Sequence, residues 1–293
     1  MKHTFTTQLS CAVRRGMAIA LGCAILPAAA VRADTVALKS VADSFVFTGI
    51  GANATGYYDA TNRNFGGMNS RQVAGAGNSK GEFDSVIRFD ATSAATSLNA
   101  TYGAGNWTIT GVTLTLDTSD NVAGPGIFNY PGSAGLFNVS WMSADGDWKQ
   151  GTGYKNNATG AGSTADHDVT GVNFTSGITW TSLHETLTAS PATLLSTCSY
   201  VDNGMLAVET FDLGTGSFAF LESLESGSTA SLVLTPEDST MAFNFTSHSY
   251  GGGADPYNPT LTLTVAAVPE PGALTLVAGG LLLLCVRLRN RRA

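Results

Sequence analysis

The sequence predicts an all-β protein: an antiparallel β-sandwich of jelly-roll type, set between two processing segments. Three observations lead there. Apolar and polar residues alternate with a period of two in run after run, as in VTLTLD at 112–117 and LTLTV at 261–265. The stretches between the runs are rich in Gly, Asn, Ser and Thr, which favour turns. No amphipathic helix of ordinary length stands out. Each alternating strand has one face to bury, so many of them call for two sheets packed face to face.

The chain opens with the marks of an export signal. Lys2, Arg14 and Arg15 are basic, residues 16–30 (GMAIALGCAILPAAA) are apolar, and Val31 and Ala33 put small residues at the −3 and −1 positions of a cleavage site before Asp34. Residues 1–33 are therefore expected to be a signal peptide. A lipoprotein signal ending at Cys23 is the competing reading, but ALGC at 20–23 lacks the usual Leu three places before the cysteine, and the apolar run before it is short.

Residues 34–267 are expected to form a single domain. Further strands are expected within 36–47, and at 84–89, 137–141 (FNVSW), 208–213, 228–234 and 241–245 (MAFNF). Residues 184–195 are left open between helix and strand. No tandem repeat and no long linker divides this body. It holds seven bases against 21 acids, a net charge of about −14 where the whole chain has −7. Phosphate binding needs clustered Lys and Arg, so nucleic acid is not an expected partner. Neutral sugars, divalent cations and basic partners remain open. Cys198 is the only cysteine of the body and cannot form an internal bridge, and Ser196-Thr197-Cys198-Ser199 offers no activating histidine.

The last 26 residues, VPEPGALTLVAGGLLLLCVRLRNRRA, follow a fixed order. Pro269, Glu270 and Pro271 come first, a stiff stretch that does not continue a helix comfortably. Residues 272–286 then give fifteen uncharged positions, about 22 Å of helix, against a hydrocarbon core of about 30 Å. Arg287, Arg289, Arg291 and Arg292 close the chain and would stay cytoplasmic while the body lies outside.

Residues 268–293 thus resemble the PEP-CTERM sorting segment of Gram-negative bacteria. The resemblance implies an exosortase-type membrane enzyme as partner, a short transmembrane helix that holds the protein only until it is removed, and delivery to the cell surface or an extracellular polysaccharide matrix. A permanent C-terminal anchor is the alternative. A second resemblance covers most of the body. The pieces VADS at 41–44, NFGG at 64–67 with a following strand, SVIRFD at 85–90, ITGVTLTL at 109–116, DWKQGTG at 147–153, GITW at 177–180 and PTLTL at 259–263 occur in the order seen in DNRLRE-type β-sandwiches. That family includes carbohydrate-binding modules. The chain departs from it where Lys149-Gln150 replaces the acidic residue often found after the tryptophan, and where residues 91–106 lengthen a connection.

Among the polar and aromatic residues, Trp148 and Tyr154 are the candidates for a sugar platform. An aromatic face stacks on the apolar face of a pyranose, and both residues are flanked by Gly and charged residues. Trp141, alternating with Val139, is expected in the core. Asp145, Asp147, Asp117 and Asp120 are the candidate Ca2+ ligands, since calcium takes six to eight oxygens from such loops; solvated turn acids are the plainer reading. Neither run matches an EF-hand loop. The Asp166-His167-Asp168 run reads as a polar loop. Glu82, Asp84, Glu185, Glu209, Glu222 and Glu225 offer carboxylates for glycoside hydrolysis, yet no G-x-S-x-G or H-E-x-x-H motif occurs. No catalytic residue is assigned. The expected function is an exported, non-catalytic, carbohydrate-associating surface or matrix protein, with a purely structural surface protein or a polysaccharide-degrading enzyme as alternatives.

Overall fold

The computed structural model describes residues 33–49, 60–62, 64–68, 70–78, 81–119, 132–144, 148–151, 177–204, 207–248 and 257–268, with isolated positions at 280 and 287. Ten strands form one antiparallel system: β1 (Ala33–Phe47), β2 (Ser70–Ala74), β3 (Phe83–Asp90), β4 (Trp107–Asp117), β5 (Gly135–Met142), β6 (Thr193–Tyr200), β7 (Val208–Asp212), β8 (Thr229–Pro236), β9 (Ala242–Thr246) and β10 (Thr260–Ala267). The spatial order is β6-β5-β8-β3-β1-β10-β4-β7, with β2 paired to β3 and β9.

β1 turns this system into two layers. Its first half pairs with β10 from Ala33 to Lys39, its second half pairs with β3 from Ser40 to Phe47, and the register slips between Ser40 and Ala42. Val41, the extra residue, is left half exposed. Such a bulge bends a strand and sharpens its twist, which lets one strand serve two sheets. One sheet is β1-β10-β4-β7; the other holds β3, β8, β5 and β6. Bridges from β9 to Thr118, just beyond β4, and to Ser133, just before β5, nearly close the structure into a barrel.

Alternation explains the core between the layers. Val112, Leu114 and Leu116 of β4 and Leu261, Leu263 and Val265 of β10 face Ile87, Phe89, Phe137, Val139, Leu232 and Leu234 from the other sheet. The intervening Thr113, Thr115, Thr262 and Thr264 face outward. Trp141 is buried in this core, as expected.

Among the described residues three short helices depart from the all-β expectation: α1 (Thr92–Tyr102), α2 (Trp180–Ala189) and α3 (Phe218–Glu225). α1 occupies the connection after β3 and offers the core only Ala94, Ala95 and Leu98. Its small and polar residues carry almost no helical stripe, which hides it from periodicity. α3 buries Phe220, Leu221 and Leu224 behind a Ser217 cap and is too short to show a repeat. The open stretch 184–195 resolves into both answers: helix through Ala189, then β6 from Thr193. β6 lacks clean alternation because it pairs only with β5 and leaves Leu194 exposed.

No helix among the described residues is long and apolar enough to cross a membrane. The signal segment through residue 32 lies outside the described residues, as do Pro269, Glu270, Pro271, Arg289, Arg291 and Arg292. Arg287 is described only as an isolated, exposed position.

Candidate functional site

The outer face of the β3-containing sheet is the place where polar chemistry gathers. Val46, Val86, Val233 and Met142 point outward there and are covered by Ile178 and by Leu183 of α2, with Trp148 and Trp180 packed alongside. α2 starts cleanly: Thr179 Oγ1 accepts from Ser182 N at 3.1 Å, and Ser182 Oγ accepts from Thr179 N at 2.9 Å, a reciprocal cap that satisfies two orphan donors.

Trp148 sits in this layer half-buried. Its indole N–H donates to Ser231 Oγ at 2.8 Å, and the Arg88 guanidinium lies over its ring with 4.4 Å between Cζ and the ring centroid. Arg88 also donates from Nη1 to the Trp148 carbonyl at 3.0 Å. The ring is thereby fixed by a cation–π contact and a buried hydroxyl. Tyr154 lies outside the described residues, as do Asp120, Asp145 and Asp147. Asp117 is buried at the end of β4, where burial raises its carboxyl above the ordinary value and Lys39 opposes the rise. Among the described residues no group of three or more His, Cys, Asp or Glu is gathered as a metal site.

Beneath the layer lies a buried knot. Asn64 donates from Nδ2 to the carbonyls of Gln150 at 2.7 Å and Ile178 at 2.9 Å, while its Oδ1 accepts from Gly66 N at 3.1 Å. One amide thus joins the segments around 64–68, 148–151 and 177–179. The approach requires glycine: a Cβ on Gly66 would overlap the Gln150 carbonyl, and Gly151, with φ +73°, lies against the Asn64 side chain. Gln150 continues the knot, donating to Gly66 O at 2.6 Å and accepting from Asp43 N at 3.2 Å.

At its centre Asp43 and Arg71 form an ion pair in which both side chains are fully buried. Arg71 donates from Nε and Nη2 to Asp43 Oδ1 at 3.0 and 2.6 Å. Its remaining bonds reach the carbonyls of Asp43, Gly66, Met68 and Ser70. His248 completes the carboxylate, donating from its backbone N to Oδ2 at 2.7 Å, with Nδ1 3.2 Å from Oδ1. Burial pushes Asp43 up, but the Arg71 charge and the His248 contacts outweigh it and hold the carboxyl below its ordinary value. A charge pair this thoroughly bonded is a structural rivet rather than a reactive group.

Asp84 and His184 make the other polar centre. Asp84 lies on β3, opposite Val46 of β1, with its side chain fully buried. His184 of α2 places Nε2 2.9 Å from Asp84 Oδ2 and stacks on Trp180 with centroids 4.0 Å apart. Burial is the main cause that lifts the Asp84 carboxyl to about 6, against the pull of His184 and with the help of Glu82. Asp84 Oδ1 is buried and has no hydrogen-bond partner among the described residues.

A carboxylate that orients an imidazole resembles half of a nucleophilic triad. Among the described residues, however, no hydroxyl or thiol is hydrogen-bonded to the His184 ring, so the pair lacks a nucleophile there. Cys198 is buried, and burial pushes its thiol up, opposite to what a nucleophile needs. Sequence reading named Asp84 only as one carboxylate of many and did not find His184, Asp43, Arg71 or His248 as partners. Asp84 and His184 are 100 positions apart, and Asp43 and His248 are 205 apart, so no local motif announces either pairing. Compared with known proteins, the chain matches no family model and no curated protein.

Proposed function

We propose that the chain is an exported protein of the cell surface or extracellular matrix. On this reading it is a jelly-roll-type β-sandwich, sorted by an exosortase-type enzyme, that associates with carbohydrate without cleaving it. The sequence of the C-terminal segment, Pro-Glu-Pro, then fifteen uncharged residues, then four arginines, carries the reading. The body is compatible with it: an antiparallel β scaffold whose buried polar groups tie loops to a sheet. Trp148 and Tyr154 remain the proposed sugar contacts, and Ca2+ at Asp117, Asp120, Asp145 and Asp147 remains a proposed accessory.

Replacing Pro269-Glu270-Pro271 by alanines should trap full-length protein in the membrane fraction, while the parent protein is recovered at the surface or in the matrix without residues 272–293. Equal processing of both would remove the sorting claim. Glycan arrays and affinity electrophoresis, with and without Ca2+, test the carbohydrate claim, and uniformly blank results would defeat it. Reducing ends released from polysaccharide would instead assign hydrolysis. One observation favours the second reading, a structural surface protein with no saccharide preference: the Trp148 N–H and ring are already engaged by Ser231 and Arg88.

A further inference from the structure

We propose that the Asp84–His184 contact is a pH-operated clasp, which holds α2 against the sheet in acid and loosens its grip as the medium becomes neutral. The placement of α2 makes it suited to such movement. It has ten residues, too few to stand as a helix in water without tertiary support. Leu183 is its only fully buried side chain, with Trp180 and Leu187 packed partly against the sheet. Its N-terminal turn is tied to the 3-10 turn at Ala60–Asn62, where Thr181 Oγ1 reaches the Thr61 carbonyl at 3.1 Å and Asn62 Oδ1 at 2.8 Å. Besides the packing of Leu183, α2 reaches the sheet through His184, whose Nε2 lies 2.9 Å from Asp84 Oδ2. Elements of this kind, with few buried apolar contacts, open locally well before the whole protein unfolds.

The direction follows from where Asp84 sits. Closed, α2 helps to keep a carboxyl out of water while one of its oxygens has no partner among the described residues. Open, that carboxyl would meet water and return to its ordinary value of 3.8, whereas closed it titrates at about 6. The closed form therefore binds the proton more tightly, and acid favours closure. The advantage is complete below 3.8 and lost as pH rises through about 6.

The charges acting on Asp84 are His184, which lowers it, and Glu82, which raises it. β1 faces it with Val46, which cannot ionise. Glu185 on α2 and Lys149 in the neighbouring loop are exposed, and Arg88, four residues along β3, is committed to Trp148. Release would uncover Trp180 and the apolar patch of Val46, Val86 and Val233.

Amide hydrogen exchange on the full chain, corrected for intrinsic rates, tests this. Between pH 4 and pH 7.5 the opening equilibrium of α2 should grow by roughly sixtyfold, as 3.8 and about 6 dictate, while β4 and β10 amides show no matching change. Asp84→Asn should remove that pH dependence. Carboxyl NMR of the unsubstituted protein gives a second measurement that needs no variant: an Asp84 midpoint near 6 supports the clasp. A midpoint below 4 overturns it, as does α2 protection that is equal at the two pH values or that shifts alike in Asp84→Asn.

Discussion

Arg71→Met is the sharpest probe of what holds the loops to the sheet. Methionine fills much of the same volume but donates nothing, so it separates the charge and hydrogen bonds of Arg71 from its bulk. The arginine serves five acceptor atoms: Asp43 Oδ1 and the carbonyls of Asp43, Gly66, Met68 and Ser70. Met68 O keeps a bond from Ser247 Oγ at 3.1 Å, and Asp43 Oδ2 keeps His248. Gly66 O likewise keeps Gln150 Nε2 at 2.6 Å, and Asp43 Oδ1 keeps His248 Nδ1 at 3.2 Å. The Asp43 carboxylate thus loses its counter-charge, and the carbonyls of Asp43 and Ser70 lose their Arg71 bonds; an orphaned buried group costs about 1–3 kcal/mol. Relaxation and water entry limit the total, so the measured range for breaking one side of a buried pair, about 3–5 kcal/mol, is the expected loss. A domain of ordinary stability, about 5–15 kcal/mol, would lose a large share of it. Urea unfolding followed by tryptophan fluorescence reads this directly, since Trp107 and Trp141 are in the core. The double variant Asp43→Asn, Arg71→Met should cost less than the sum of the singles, because each single leaves an uncompensated buried partner. A loss below about 1 kcal/mol, or strict additivity, would refute the rivet.

Other outcomes follow from the same geometry. Asp84→Asn should stabilise the protein at pH 7.5 by up to about 3 kcal/mol, the free-energy equivalent of the gap between 3.8 and about 6, and clear destabilisation in urea would contradict it. Thermal melts should reach their maximum near pH 3.8: Asp43, held low, loses its contribution as pH falls below that value, and Asp84, held high, loses its contribution progressively as pH rises from 3.8 through about 6. A maximum above pH 7 would speak against the Asp84 assignment, and melts that do not fall as pH drops below 3.8 would speak against that of Asp43. Gly66→Ala should destabilise strongly because its Cβ meets a backbone carbonyl, while Gly216→Ala, with open space around it, should be nearly neutral in the same melts. Trp148→Phe should cost about 1 kcal/mol through the lost bond to Ser231, and unchanged stability would show that this bond contributes little.

How much of this was legible beforehand varied from element to element. β4 and β10 could be read directly from VTLTLD and LTLTV, because burial on one face imposes a period of two that survives in the sequence. β6 could not, since an edge strand with Leu194 in water does not obey that rule. α1 was hidden by composition, for TSAATSLNATY buries small residues and leaves no apolar stripe. Of the site, the glycine-rich pieces NFGG and GITW could be singled out, but their meeting through Asn64 could not.

By itself the sequence determined the antiparallel β class, the burial of Trp141 and the acidity of the body, because each of these is a local or summed property of side chains. Only the tertiary structure decided that β1 serves two sheets, that Arg71 finds Asp43, and that a buried carboxyl on β3 meets a histidine on α2. The physical reason is the same for all three. A buried polar group is tolerable only with a partner, and the partner is chosen by where the chain returns in space, which the spacing of residues along it does not encode.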